Sequence, residues 1–120
     1  MAHNEQVLRF AQGWIDAWNS HDVNRILEFY ADDLELTTPY AVSLLNIQTG
    51  TLKGKDTIRT FMQKAFKLLP QLRYELIEVL SSVNSISIYH NSILGKRSVE
   101  VLFFDGNGKI SKSISHYNSL

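Results

Sequence analysis

The chain has 120 residues, 44% apolar and 20% charged, which is enough for one buried core and far from the charge-rich composition of disordered chains. Twelve basic residues balance twelve acidic ones, so no overall field draws the chain to nucleic acid or to an anionic membrane surface, and neither is expected as a partner. Cysteine is absent, which excludes disulfides, thiolate nucleophiles and cysteine metal sites and fits a reducing, cytoplasmic setting.

A helix is predicted from Asn4, a capping residue, to about Ser20, because Val7, Leu8, Ala11, Trp14, Ile15 and Trp18 recur at helical spacing. Asp22 can cap a second helix with Val23, Ile26, Leu27 and Tyr30 on one face, ending near Ala31, Asp32 and Asp33. Residues 34–38 alternate as a short strand that Pro39 stops. The stretch 40–52 mixes apolar and polar residues and reads as a loop or irregular strand folded against something, a candidate pocket rim. A third helix is predicted from Asp56, with Ile58, Phe61, Met62, Ala65, Phe66 and Leu69 as its stripe and Pro70 as its stop.

Beyond Pro70 the period changes to two, and strands are predicted at 72–80, 84–92, 97–104 and 109–118. Turns at Leu94-Gly95 and Asp105-Gly106-Asn107-Gly108 would join the later ones into an antiparallel meander. Helices followed by strands imply an α+β fold, one domain over 1–120 with three N-terminal helices packed on a curved sheet around an internal pocket. No segment has the pattern of a leader peptide or the ~20 apolar residues of a membrane span, so a soluble, unprocessed chain is expected.

The order of elements, together with the strings "WIDAWNSHDVNRILEFYADDLEL", "GTLKGKDTIRTFM" and "LFFDGNGKI", resembles the nuclear transport factor 2-like superfamily and specifically its SnoaL-like branch. The resemblance implies a cone-shaped half-barrel with a mostly antiparallel sheet, a small and largely apolar ligand or substrate, and a homodimer formed through the sheet face. That fold carries ketosteroid isomerases, polyketide cyclases, dehydratases and epoxide hydrolases as well as noncatalytic binding and assembly modules.

Residue by residue, Trp14 stands where ketosteroid isomerases place their oxyanion-holding tyrosine, and Thr38 where they place their proton-shuttling aspartate. An indole and a hydroxyl do not supply that chemistry, so steroid isomerisation is disfavoured. Ser115 and Asn91 fall where limonene epoxide hydrolases carry aspartates, which disfavours water activation by paired carboxylates. Glu100 matches the second, protonated aspartic acid of the isomerases.

Glu100 shares its strand face with Leu102 and Phe104, and a carboxyl among apolar side chains is disfavoured as the anion, so its pKa is expected to rise. The alternative is a solvent-facing charge paired with Lys96, Arg97 or Lys112. A tight hairpin at Leu94-Gly95 sets Tyr89 opposite Glu100, whereas a one-residue bulge brings His90 there instead. On the last strand, alternation puts Ser113, Ser115 and Tyr117 on one face, and the resemblance favours that face as pocket lining. His116 lies on the other face, where a bulge near the strand end would swing it beside Glu100 as an acid/base partner.

The catalytic candidates are therefore Glu100, Tyr89 and His116. The ligand-binding candidates are Trp14, Trp18, Tyr30, Tyr40, Asn91, Leu102, Ser115 and Tyr117, with Phe61 beside them. Histidines at 3, 21, 90 and 116 show no paired spacing, so no metal site is expected, and no cofactor is implied. Val99, Val101 and Phe103, extended by Ile86, Ile88 and Ile114, are read as an outer apolar patch through which a homodimer would form.

Overall fold

The structure, a computed structural model, describes residues 2–119. The first apolar stripe folds as α1 (Ala2–Ser20) and buries Ala11, Trp14, Ile15, Ala17 and Trp18 along one face; Asn4 lies inside the helix and does not cap it. The helix stops where His21 takes a left-handed φ of 57°, a conformation that ends the ladder while its N–H still reaches the Trp18 carbonyl at 3.1 Å. Asp22 then caps α2 (Val23–Leu27) by accepting from the Arg25 N–H at 3.2 Å. That helix is shorter than its apolar spacing predicts, because the chain already extends at Tyr30 into β1 (Tyr30–Thr37).

Pro39 stops β1 as expected, but it also starts a helix. The stretch predicted as a loop contains α3 (Pro39–Leu45) and the short strand β2 (Thr51–Lys53). Thr38 caps α3, accepting from the Tyr40 N–H at 3.3 Å, and proline occupies the first helical turn, where no backbone donor is needed. The return is tight: the Thr38 N–H reaches the Gly50 carbonyl at 2.9 Å. Gly50 holds φ +72°, and a β-carbon there would come within 3.3 Å of the Thr38 carbonyl oxygen, so glycine is required twice over. Next comes α4 (Lys55–Leu68), with Gly54 as its cap and Asp56 in its first turn; it buries Ile58, Phe61, Met62, Ala65 and Phe66.

The remaining chain forms β3 (Glu75–Ser81), β4 (Ser85–Asn91), β5 (Arg97–Phe104) and β6 (Ile110–Tyr117). One open six-stranded sheet results, in the order β2-β1-β6-β5-β4-β3, antiparallel except where β1 runs parallel to β6. The architecture is α+β, with the helices packed on one face of the sheet. That face carries Leu34, Leu36, Ile86, Ile88 and Leu102 into the core, where they meet the α1 and α4 stripes. Among the described residues no helix is long and apolar enough to cross a membrane.

The β4–β5 register differs from the expected one by a single residue. Ser92 to Lys96 make a five-residue connection, with Leu94 and Gly95 both left-handed and the Ser92 N–H bonded to the Lys96 carbonyl. An odd count in the loop makes Ile88, not Tyr89, the partner of Glu100, and it sets His90 opposite Ser98. One slip of this kind exchanges the two faces of a strand. Ile86 and Ile88 are consequently buried inside and do not belong to an outer patch.

Candidate functional site

Glu100 is 5% exposed, on the inner face of β5. Pairing with β6 places Ser115 directly opposite and Ser113 diagonally, and both hydroxyls donate to the carboxyl, Ser115 at 2.8 and 2.9 Å. Among the described residues no lysine, arginine or histidine forms an ion pair with it. Burial pushes the Glu100 pKa up from 4.5 to about 7, against the opposing pull of the two serine hydroxyls. Desolvation therefore wins, and near neutral pH both protonation states are populated. A carboxyl in that condition can give or take a proton without a large driving cost.

The carboxyl borders a cavity of about 40 Å³. Leu36, Leu44, Phe61, Phe66, Leu69 and Leu72 supply apolar wall, while Thr38, Tyr40, Tyr74, Ser115 and Tyr117 bring hydroxyls. A volume of this size holds a few water molecules, since one needs roughly 10–15 Å³. Each polar side chain has a local reason to be there. Thr38 is the α3 cap and Tyr40 its first turn. Tyr74 is fixed by Asn19 at the end of α1, which accepts from the Tyr74 N–H at 2.6 Å and donates to its carbonyl at 2.9 Å. Tyr117 packs edge-on against Tyr40, with centroids 5.1 Å apart. Burial, and after it the Glu100 charge, holds the Tyr117 phenol well above the ordinary tyrosine range, so it stays protonated and able to donate.

Of the residues predicted from sequence, Glu100, Trp18, Tyr40, Ser115 and Tyr117 border this cavity, as does Phe61. Trp14, Tyr30 and Leu102 do not; they are buried behind it, where the Trp14 indole N–H donates to the Tyr30 hydroxyl at 3.0 Å. Tyr89 and His116 fall on the outer face with Val99, where Arg97 donates to the Tyr89 hydroxyl at 3.2 Å. Neither reaches Glu100, because the odd β4–β5 loop turns Tyr89 out and the β5–β6 pairing is regular around Val99 and His116, its register shift lying instead between Phe103 and Phe104. Asn91 sits at the end of β4, donating to Glu75 at 3.4 Å, and does not border the cavity.

His90 is the inward residue on β4, 1% exposed and set against Tyr74 at 4.4 Å and Trp14 at 5.7 Å. Its Nδ1 donates to the Ile88 carbonyl at 3.2 Å, which fixes the tautomer, and burial lowers its pKa to about 4. It backs the pocket as a neutral ring. Sequence reasoning missed Tyr74: the strand predicted over 72–80 begins only at Glu75, so the Asn19 contacts and not strand alternation set this residue. Thr38 was readable, since a threonine before a proline is a helix-start signal.

A sequence profile described as the SnoaL-like domain matches residues 11–104. No curated protein matches the chain. Among solved structures, a SnoaL-like protein of unknown function from Burkholderia thailandensis is similar at 33% identity, over 94% of each chain, with a TM-score of 0.90. A provisionally assigned isomerase of the SnoaL-like family from Agrobacterium tumefaciens shares 18% identity over 96% of this chain and 99% of its own, with a TM-score of 0.75. An NTF2-like protein of unknown function from Burkholderia pseudomallei shares 22% over 98% and 92%, with a TM-score of 0.73. The last two speak to the fold alone.

Proposed function

This chain belongs to the SnoaL-like domain family, and within that fold we propose that it binds a small, largely apolar molecule and moves a proton on it through Glu100. The reaction would be of the isomerase, cyclase, dehydratase or hydrolase type. The observation that carries this reading is a buried carboxyl without a cationic partner among the described residues, held by two serine hydroxyls on the border of a largely apolar cavity. A structural ion pair would have lowered its pKa; burial without one raises it, and groups perturbed in that way cluster at working sites. A second reading, noncatalytic ligand binding or assembly, is favoured by the cavity's size, which admits little more than a few waters as it stands.

A thermal-shift screen of small fragments against the wild type and Glu100→Gln separates the two. A ligand at about ten times its Kd stabilises the folded state by about 1.4 kcal/mol, roughly 5 °C in Tm for a domain of this length. We expect such a ligand to shift the wild type and to lose most of that effect in Glu100→Gln. Equal shifts in both proteins, with no turnover, would support the noncatalytic reading.

The outer sheet face supports a homodimer as part of the same proposal. Val99, Val101, Phe103 and Ile114 stand half-buried on that face, and Leu80 nearby is 57% exposed. Sedimentation equilibrium is expected to give about twice 13.7 kDa for the wild type, and the single-chain mass for Val101→Lys. A wild-type monomer would remove the dimer from the reading. A cytoplasmic setting belongs to it too, on the absence of cysteine.

A further inference from the structure

Among the described residues the cavity is bordered by one acid, Glu100, and by no basic side chain. Just outside, the half-buried Lys96 donates from its ammonium to the Tyr40 hydroxyl at 3.3 Å and lies 5.7 Å from the centre of the same ring. Among the described residues Lys96 has no carboxylate partner. Among the described residues no further hydrogen bond engages the other two ammonium protons. Because the Tyr40 oxygen accepts from Lys96, its own O–H is also free to donate, and Tyr40 is a wall residue of the cavity. Two donors, one of them charged, thus meet at Tyr40, on the border of the cavity. On the other flank of α3, Lys64 reaches the carbonyl of Leu44, another wall residue, at 2.7 Å, adding a second ammonium beside the same helix.

We propose that the Lys96–Tyr40 pair selects ligands carrying a carboxylate head group, so that the pocket takes a short-chain carboxylate with its chain in the cavity that Glu100 also borders. This rests on the pocket reading above and names its substrate class. The geometry suits it in two respects. A carboxylate accepts two hydrogen bonds side by side, matching an ammonium and a phenol that already touch. A tail of about three carbons replaces the few waters the cavity holds. Glu100, populated as the neutral acid near pH 7, does not oppose an incoming anion as a permanently charged residue would.

The test compares butyrate with butyramide, which share a carbon skeleton and differ in charge, by NMR titration of the amides of Ser115 and Tyr117 at pH 6.5 in the wild type, Lys96→Met and Lys96→Arg. We expect butyrate to bind the wild type about fivefold more tightly than butyramide, the scale of a partly exposed ion pair. The preference should vanish in Lys96→Met and return in Lys96→Arg, with butyramide binding alike in all three. Equal binding of both probes by the wild type, or a preference that survives Lys96→Met, overturns the proposal and leaves the pocket reading intact. If neither probe moves those amides, the pocket reading fails together with the proposal.

Discussion

Glu100→Gln is expected to make the protein more stable at pH 8, by about 3 kcal/mol, although it removes a charged group that two serines hold. The Glu100 pKa is raised from 4.5 to about 7, so the folded state binds its proton more tightly than the unfolded chain does. The stability this contributes is fully present below pH 4.5 and is lost as the pH rises through 7; each unit of difference is worth about 1.4 kcal/mol. His90 acts in the opposite direction. Its value is lowered from 6.5 to about 4, so its contribution is fully present above pH 6.5 and is lost as the pH falls through 4. Between pH 4.5 and 6.5 the two slopes oppose each other at nearly equal size. Urea titrations of the wild type should therefore give a nearly flat stability profile across that window. Glu100→Gln should rise with pH there, and His90→Phe, which keeps a ring against Tyr74, should fall. A Glu100→Gln profile parallel to the wild type would show that the carboxyl is hydrated in solution.

Trp14→Ala is expected to cost about 3–5 kcal/mol, the usual range for deleting a buried aromatic, out of a total near 5–15 kcal/mol. The indole is 1% exposed, lies nearly parallel to Tyr74 at 5.8 Å, and touches Trp18 and His90 at 5.7 Å each. Its N–H also satisfies the Tyr30 hydroxyl, and that buried acceptor is stranded when the ring goes. Trp14→Phe should lose only about 1–3 kcal/mol, mostly through the stranded hydroxyl. Because Trp14 backs the cavity without lining it, the Phe variant should keep the wild-type thermal shift with any pocket ligand. A loss below 1 kcal/mol for Trp14→Ala, measured by urea denaturation, would contradict this account of the core.

What could be read from the residues alone divides along a physical line between local and long-range determinants. The α1 and α4 stripes and the glycine-rich turn after β5 are local, but the β5–β6 register shifts between Phe103 and Phe104, so it was the family resemblance and not alternation across the turn that brought Glu100 and Ser115 to one face. The β4–β5 loop is equally short, yet its length depends on a leucine at φ 58°, a conformation side chains of that kind rarely adopt and that nothing in the spacing signals. That one residue displaced Tyr89 from the site and put His90 inside. The parallel pairing of β1 with β6 joins distant segments, and no periodic pattern announces it. The helix after Thr38-Pro39 did carry its start signal, but the proline was read as ending a strand when it also opens α3.

The same sheet order has a kinetic consequence. Glu100 and its two serines belong to a single hairpin, β5 with β6, that sequence neighbours can build quickly. The wall bearing Leu36 and Thr38 arrives only when β1 docks alongside β6, pairing Tyr30 with Ile110 across eighty positions of chain, a slow closure for entropic reasons. The acid is thus assembled wet and sealed afterwards. Refolding at pH 6 is then expected to draw a proton onto Glu100 in that last event, so proton uptake from the solvent times the docking of β1 on β6.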